Sequence, residues 1–258
     1  MANSLELFSL KGKVAFITGA STGIGLAVAR AFAQAGADIA FGYNSSPSAI
    51  ETAARLSQET GRKVVAYKVP VAQSAVVEQV VQDVANEFGK IDVVVSNAGI
   101  TWTSGELIEP EDHKAWQEII DVNVNGNYYV AKAVGRVFKS QGYGSLIFTS
   151  SISAQIVNIP QRQAAYNISK AAVTSLSKNL AVEWASFARV NSVSPGYTVT
   201  EITKFADAEL KEQWKKLTPV GREALPDELV GAYIYFASNA STFTTGADLV
   251  IDGGYTLV

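Results

Sequence analysis

Short apolar segments alternate with longer stretches of helical periodicity along the whole chain, and this alternation limits the possible fold more than any other feature. We predict strands at residues 14–18, 39–43, 64–69, 91–95, 145–149, 189–193 and 248–251. We predict helices at residues 23–35, 50–59, 74–88, 116–140, 165–185 and 226–238. Strands that are apolar throughout, without a polar face, indicate a sheet that is covered by helices on both sides.

Regular strand–helix alternation implies right-handed crossovers between parallel strands. The predicted fold is therefore α/β, a single doubly wound Rossmann sheet of about seven parallel strands with helices on both faces. No repeat or linker divides the 258 residues, so we expect one domain over residues 1–258. An amphipathic insertion between Pro195 and Pro226 interrupts the alternation. Because ligand lids follow strand ends in such sheets, we expect a substrate lid at about residues 198–220.

Composition excludes several kinds of chemistry. The chain has no cysteine and one histidine, His113, which excludes disulfides, thiol nucleophiles and polyhistidine metal sites, and we expect no metal. A net charge of −3 without a run of Lys or Arg argues against binding to nucleic acid or to a membrane surface. No apolar run reaches the ~18–20 residues of a membrane helix, and the first residues do not resemble a secretory signal. We expect a soluble, cytoplasmic protein whose partner is a small molecule.

A glycine-rich loop joins the first predicted strand to the first predicted helix. Its sequence, Thr-Gly-Ala-Ser-Thr-Gly-Ile-Gly at residues 18–25, places Gly19, Gly23 and Gly25 where the backbone turns into the helix. Free N–H groups and the positive end of a helix bind a pyrophosphate at such a turn. A tight turn without a ligand would use similar glycines, but the position after the first strand of an alternating chain favours a dinucleotide site.

The residues after the second strand indicate which dinucleotide binds. An acidic residue at that position binds the ribose 2′-hydroxyl of NAD and repels a 2′-phosphate. Here the strand is followed by Asn44, Ser45 and Ser46, whose side chains suit a phosphate, and Asp38 lies at the other end of the strand. We therefore predict NADP(H), although a plain polar turn before Pro47 would have the same composition.

Two further groups of residues suggest acid–base chemistry. Tyr166 and Lys170 lie four residues apart on a predicted helix and therefore share one face. A neighbouring ammonium group stabilises a phenolate and lowers the pKa of the tyrosine, as general acid–base catalysis requires. The fifth predicted strand ends in a cluster that includes Ser151 and Ser153, at the carboxyl edge of the sheet where ligands bind.

Taken in order, these residues resemble the short-chain dehydrogenases/reductases of the compact form, over nearly the whole chain. Residues 96–99, Ser-Asn-Ala-Gly, are similar to the Asn-Asn-Ala-Gly element of that family. Residues 195–200 resemble its Pro-Gly segment around the nicotinamide, and residues 252–254 match its terminal Asp-Gly-Gly. The resemblance implies the catalytic residues Asn123, Ser151, Tyr166 and Lys170, with Asn123 holding a water of the proton relay. It also implies a homotetramer that uses the long fourth and fifth helices and the C-terminal segment.

The expected cofactor-binding residues come from the glycine loop, the ends of the next strands, the catalytic helix and the Pro-Gly segment. They are Gly19, Ser21, Thr22, Gly23, Ile24, Gly25, Tyr43, Asn44, Ser45, Ser46, Val69, Asn97, Ala98, Gly99, Tyr166, Lys170, Pro195, Gly196, Thr198, Val199 and Thr200. The chain departs from the family at Pro70, where an aspartate usually binds the adenine. We choose Ser151 as the catalytic serine because its spacing from Ala154 follows the family pattern, and Ser153 remains an alternative.

Within the family, residues 10–13, 190–197, 232–238 and 244–255 are similar to fungal mannitol 2-dehydrogenases, sorbose reductases and L-xylulose reductases. The expected activity is therefore hydride transfer between NADP(H) and a ketose or sugar alcohol, with Tyr166 as general acid/base. Reduction of aromatic or bulky ketones and 3-oxoacyl reduction are enzymatic alternatives, and a dinucleotide-sensing regulatory protein is a non-enzymatic one. Candidate residues for the pocket wall are Trp102, Gln155, Val157, Asn158, Tyr197 and the segment 201–217.

Overall fold

The computed structural model describes residues 4–258 and contains all the predicted strands and helices. The strands are β1 (Val14–Ile17), β2 (Asp38–Tyr43), β3 (Val64–Lys68), β4 (Val93–Ser96), β5 (Ser145–Thr149), β6 (Arg189–Pro195) and β7 (Asp248–Ile251). The α-helices are α1 (Gly23–Gln34), α2 (Ala49–Thr60), α3 (Ser74–Phe88), α4 (Lys114–Ile120), α5 (Gly126–Gln141), α6 (Ala164–Glu183), α7 (Ala208–Leu217) and α8 (Val230–Ala237).

The predicted helix at 116–140 is divided in the structure. A turn of π-helix, Asp121–Asn125, lies between α4 and α5. In this turn the main-chain carbonyl of Asn123 accepts a hydrogen bond from the Asn127 side chain at 2.6 Å. Such insertions shift the residues of a helix relative to its neighbours and are frequent at functional sites. Here the insertion turns Asn123 into the interior of the protein, where it is fully buried.

The seven strands form one parallel sheet in the order β3-β2-β1-β4-β5-β6-β7, which confirms the predicted doubly wound architecture. The chain winds outward from β1 to β3 and then returns to place β4 on the other side of β1. In open α/β sheets, ligands bind beyond the carboxyl ends of the strands, in the crevice where the order reverses. In this protein that crevice lies between the loops that follow β1 and β4.

Alternate residues of each central strand point to opposite faces of the sheet. Ala15 and Ile17 pack with side chains of α1, α2 and α8 on one face, while Phe16 packs with those of α3, α5 and α6 on the other. Both faces of the sheet are thus covered, which explains why the central strand β1 is apolar along its whole length. Among residues 4–258, no helix is both long enough and apolar enough to cross a membrane.

Candidate active site

A cavity with a volume of about 720 Å³ lies at the carboxyl ends of the strands. It extends from the glycine loop after β1, past the ends of β4 and β5, to α7. The size and position are those of a site for a dinucleotide and a small substrate. Most of the predicted site residues line this one cavity, although they come from seven separate segments.

At one end of the cavity, main-chain geometry holds the glycine loop in place. Gly19 has a φ of +64°, a backbone conformation that is unfavourable for residues with a Cβ. A Cβ at Gly25 would lie 2.2 Å from the carbonyl oxygen of Gly19, so this turn admits only glycine there. Thr22 does not cap α1 with its side chain, so the first N–H groups of that helix are free of a side-chain cap. This arrangement offers the donors that a pyrophosphate needs.

Asn97 ties the glycine loop to the neighbouring strand. Its Nδ2 donates to the carbonyl oxygens of Thr18 and Gly19 at 3.1 and 3.2 Å. The backbone N–H groups of Asn97 and Ala98 both donate to Oγ1 of Thr18, at 3.0 and 3.1 Å. The family-like element at 96–99 thus holds together the two loops that border the crevice.

The region expected to bind the adenosine end carries no acidic residue. Asn44, Ser45 and Ser46 line the cavity directly after β2, together with Val69 and Pro70 after β3. Asp38, at the start of β2, instead forms an ion pair with Arg62 at 2.7 Å on the far side of the sheet. The site therefore has neutral amide and hydroxyl groups where a 2′-phosphate would sit.

Tyr166 and Lys170 lie on one face of α6, as predicted, and both line the cavity. The Lys170 ammonium lies 5.6 Å from the centre of the Tyr166 ring and donates to the Thr149 carbonyl at 2.9 Å. Burial lowers the pKa of Lys170 to about 8. Burial also raises the pKa of Tyr166 to about 12, against an opposing hydrogen bond from Ser151. The expected lowering of the tyrosine pKa is thus absent from this structure, since desolvation outweighs every other influence on the phenol.

The two candidate serines have different partners. Ser151 is hydrogen-bonded to Tyr166, and its Oγ also accepts from the backbone N–H of Ser153 at 3.1 Å. Ser153 turns its own hydroxyl away from the tyrosine and donates to Asn158 Oδ1 at 2.7 Å. Ser151 is therefore the serine placed to act together with Tyr166.

Asn123 lies behind the cavity wall, and its side chain is hydrogen-bonded within the protein. Its Nδ2 donates to the Ile100 carbonyl at 2.9 Å and to Ser169 Oγ at 3.0 Å, and its Oδ1 accepts from the Ile100 N–H at 2.8 Å. Its carbonyl accepts from Asn127, whose Oδ1 in turn accepts from Ser96 at 2.7 Å. Ser96, which stands where the family has asparagine, is thereby linked to the helical turn that holds Asn123.

Several predicted residues are not part of the cavity wall. Gly25 lies beneath the loop, Tyr43 and Val199 lie beside it, and Asn123 lies behind it. Trp102 packs with Ile119 and Ala165 and donates its indole N–H to the Gly105 carbonyl at 2.8 Å. Trp102 is therefore a core residue and does not form an aromatic platform. Two other candidates for the pocket wall are also directed away from the cavity: Gln155 donates to Asp248, and Val157 is exposed.

The far end of the cavity contains two residues that sequence reasoning missed and one, Trp214, from the segment that it named as a candidate for the pocket wall. Gln161 and Gln163, from the loop before α6, line the wall near Tyr166. Trp214, from α7, is 1% exposed and stacks on Tyr197 with ring centres 4.1 Å apart and an angle of 8° between the planes. Trp214 falls within the predicted lid, where its spacing from Leu210 and Leu217 indicated an apolar helix face. No sequence motif marks the two glutamines.

Comparison with known proteins agrees with this geometry. A family model described as enoyl-(acyl carrier protein) reductase matches residues 19–256. The chain is 57% identical over 253 residues to the "Probable NADP-dependent mannitol dehydrogenase" of Yarrowia lipolytica, covering 98% of this chain and 91% of that protein. It is 56% identical over 256 residues to a sorbose reductase of Candida albicans, covering 99% of this chain and 91% of that protein.

Among solved structures, the fold is similar to that of an NADPH-dependent 3-quinuclidinone reductase from Rhodotorula rubra. The TM-score is 0.96 at 44% identity, and the match covers 100% of this chain and 97% of the other. Because the match covers the whole chain, it includes the strands of the sheet, the helices that cover it and the segment around α7.

Proposed function

The chain belongs to the short-chain dehydrogenase/reductase family, and we propose that it reduces a ketose to a sugar alcohol with NADPH and catalyses the reverse reaction with NADP⁺. It is an NADP-dependent oxidoreductase, and its relatives include a probable NADP-dependent mannitol dehydrogenase and a sorbose reductase. The observation that carries the ketose assignment is the chemistry of the wall beyond Tyr166. Five amide and hydroxyl side chains line it beside the apolar Ile202, Phe205 and Trp214, namely Ser153, Asn158, Gln161, Gln163 and Tyr197.

The residues present fit NADPH. The glycine loop and the first turn of α1 would hold the pyrophosphate, and Asn44, Ser45 and Ser46 would bind the 2′-phosphate. Pro70 has no side-chain acceptor, so the adenine would rest on the apolar surface of Val69 and its neighbours. The remaining contacts would come from residues 97–99, Tyr166, Lys170, Pro195, Gly196, Thr198 and Thr200. When bound, NADPH supplies the hydride that reduces the carbonyl carbon.

The protein's own groups handle the proton. Ser151 donates a hydrogen bond to the substrate carbonyl oxygen, and Tyr166 transfers its phenolic proton to that oxygen as the alcohol forms. Because burial holds the pKa of Tyr166 near 12, the phenol carries its proton throughout the neutral range. The Lys170 ammonium then stabilises the phenolate that remains. The main-chain carbonyl oxygen of Asn123 has a second lone pair beside the bond from Asn127, and it would accept a hydrogen bond from the water through which the proton is replaced.

We propose that residues 198–220 act as the substrate lid of a single catalytic domain. The lid contacts the rest of the site through Trp214, and α7 is exposed on its other face. We also propose a homotetramer, for which Tyr128 on α5 and Leu249 on β7 offer exposed apolar surface. Light scattering of the purified protein would test this: a monomer across the micromolar range would contradict the tetramer.

The proposed activity is tested by NADPH oxidation with fructose, sorbose, L-xylulose, 3-quinuclidinone and one aromatic ketone, with NADH in parallel. We expect turnover of at least one ketose and a clear preference for NADPH. Activity confined to the bulky ketones would favour the second candidate, a bulky-ketone reductase, which the similarity to the quinuclidinone reductase supports. NADPH binding without turnover of any substrate would contradict an enzymatic role and favour a dinucleotide sensor.

A further inference from the structure

Five polar side chains at the substrate end of the cavity form a closed ring of hydrogen bonds. The ring joins Gln161, Gln163, Ser153, Asn158 and Tyr197, and all five line the cavity. From donor to acceptor, the bonds run from Gln161 Nε2 to Gln163 Oε1 (3.0 Å), from Gln163 Nε2 to Ser153 Oγ (3.2 Å), from Ser153 Oγ to Asn158 Oδ1 (2.7 Å), from Asn158 Nδ2 to Tyr197 Oη (3.0 Å) and from Tyr197 Oη to Gln161 Oε1 (3.4 Å). We refer to these five side chains as the amide–hydroxyl ring.

Trp214 of α7 fixes the direction of the ring. Its indole nitrogen is only a donor, and it donates to the side chain of Gln161. The atom of Gln161 that faces Trp214 must therefore be the amide oxygen, so the amide nitrogen of Gln161 faces Gln163 and donates to it. Each following side chain accepts from one neighbour and donates to the next, so all five bonds run in the same sense. Such chains of aligned hydrogen bonds polarise one another.

The ring is a built site held by three segments of the chain. Four members lie on the loop between β5 and α6, Tyr197 follows β6, and the orienting Trp214 comes from the lid. Ser153, Asn158 and Gln163 are buried, with 4%, 4% and 7% exposure. Burial also holds the pKa of Tyr197 far above its ordinary value, so its hydroxyl stays neutral and able to donate. Ser151 and Tyr166 line the same cavity.

We propose that the amide–hydroxyl ring is the subsite that recognises the hydroxyl groups of the substrate and selects hydroxylated ketones over plain ones. This inference rests on the proposed ketose reductase function and assigns its specificity to particular side chains. The link from Tyr197 to Gln161 is the longest of the five, and it is the point at which a substrate hydroxyl enters. A hydroxyl both accepts and donates, so it accepts a hydrogen bond from the Tyr197 hydroxyl and donates one to Gln161 Oε1.

A methylene group at the same place can do neither. It would separate Tyr197 from Gln161, leaving the Tyr197 hydroxyl without an acceptor and Gln161 Oε1 with Trp214 as its remaining donor, and an unpaired donor costs more than a hydrogen bond contributes when it is made. A site built to hydrogen-bond a hydroxyl rejects the analogue that lacks it for this reason. The ring therefore discriminates between hydroxylated and plain ketones when the substrate binds. Ser151 and Tyr166 carry out the same chemistry on either ketone.

Tyr197→Phe tests the proposal, because it removes one hydroxyl and keeps the ring that stacks on Trp214. The probes are a ketose and the ketone with the same carbon chain and no hydroxyls: fructose or sorbose with 2-hexanone, or L-xylulose with 2-pentanone. For a ketone that turns over slowly, the rate is measured with enzyme in excess over the ketone. We expect kcat/KM for the ketose to fall roughly tenfold, mainly through KM, and kcat/KM for the plain ketone to change less than about twofold. Tyr143→Phe, at the opposite edge of the sheet, is the matched control and should change neither.

A second measurement separates the ring from simple packing of the lid. Trp214→Phe keeps an aromatic side chain on Tyr197 and removes the N–H that orients Gln161. Because Tyr197→Phe opens the ring and Trp214→Phe removes the bond that orients it, the two changes act on one network, and the double variant should lose little more on the ketose than the worse single variant. Additive losses that are equal for both ketones would mean that the two residues only hold the lid in place, and would overturn the proposal.

The failure of this inference is distinguishable from failure of the proposed function. If the wild-type protein reduces no ketose, the proposed function is wrong, and the ring has no hydroxylated substrate to select. If the wild type reduces a ketose and Tyr197→Phe leaves its kcat/KM within about twofold, the enzyme assignment stands and the ring proposal is wrong. Melting temperature and NADPH affinity, both expected to match the wild type, verify that each variant is folded.

Discussion

The two ends of the cavity are built in different ways. At the cofactor end, Gly19 and Gly25 shape the main chain and Asn97 ties two neighbouring loops together through backbone atoms. At the substrate end, the amide–hydroxyl ring and Trp214 join three distant segments through side-chain atoms. The structure of the cofactor end depends on the conformations that the main chain can adopt. The structure of the substrate end depends on contacts between side chains of distant segments. The cofactor end should therefore tolerate few substitutions, and the substrate end should change specificity without loss of the fold.

Tyr166→Phe tests the chemical step itself, apart from binding at either end of the cavity, and should have the largest effect. The variant keeps the aromatic packing and removes only the proton that passes to the substrate. We expect kcat to fall by about 10²–10⁴-fold, since positioned general acids contribute that much. NADPH affinity, measured by fluorescence titration, should stay near that of the wild type. Near-normal turnover in this variant would show that Tyr166 is not the acid.

Gly25→Ala should damage the cofactor end alone. The new methyl group would lie 2.2 Å from the carbonyl oxygen of Gly19, so the loop must move. We expect the Kd for NADPH to rise by roughly 10- to 100-fold and unfolding to become easier by about 1–3 kcal/mol. Gly231→Ala on α8 is the matched control, since a Cβ there meets nothing within 4 Å. That variant should bind NADPH normally and be as stable as the wild type or slightly more so.

Asn44→Asp tests whether the neutral residues after β2 select the phosphate. A carboxylate there would repel the 2′-phosphate and suit the ribose hydroxyl of NADH. We expect the ratio of kcat/KM for NADPH to that for NADH to fall by about tenfold, with little change in KM for the ketose. Asn86→Asp, exposed on α3, makes the same change in net charge outside the cavity. An equal response in both variants would attribute the effect to net charge and contradict a local phosphate site.

The pH dependence of ketone reduction should reflect Lys170 and not Tyr166. Burial lowers the pKa of Lys170 to about 8 and raises that of Tyr166 to about 12. As pH rises, the ammonium is therefore lost long before the phenol, and kcat/KM should be about half its plateau value near pH 8. Arginine stays charged, so Lys170→Arg should lose this alkaline fall, whatever its absolute rate. Lys178→Arg, exposed on the same helix, should keep it.

Trp102→Phe tests whether this side chain lies outside the substrate end of the cavity, and it should have the smallest effect. The indole is 4% exposed and donates to the Gly105 carbonyl outside the cavity. We expect a loss of stability of about 1–2 kcal/mol in urea unfolding, from the lost hydrogen bond and the smaller ring. Values of kcat/KM for a ketose and for an aromatic ketone should both stay within about twofold. A selective loss on either substrate would place Trp102 in the pocket.

Sequence reasoning succeeded where the physical requirement is local. The glycines at 19–25 follow from the turn that joins β1 to α1, and the pairing of Tyr166 with Lys170 follows from helical periodicity. It predicted the helical region 116–140 but did not anticipate the π-turn at 121–125, because no periodicity marks a turn whose carbonyl is bound by a side chain. The structure also does not show the expected lowering of the Tyr166 pKa by Lys170. That balance depends on burial, which composition does not reveal.

By itself, the sequence of this protein determined the doubly wound sheet, the glycine loop and the order of the candidate catalytic residues along the chain. Each of these depends on residues that are close together in sequence, and on a pattern of apolar strands that only a covered sheet satisfies. Only the tertiary structure decided that Trp102 is a core residue and that Gln161, Asn158 and Tyr197 close into one ring with Trp214 above it. The physical reason is that a hydrogen bond requires two side chains to meet within about 3 Å, and which distant loops meet is settled by packing.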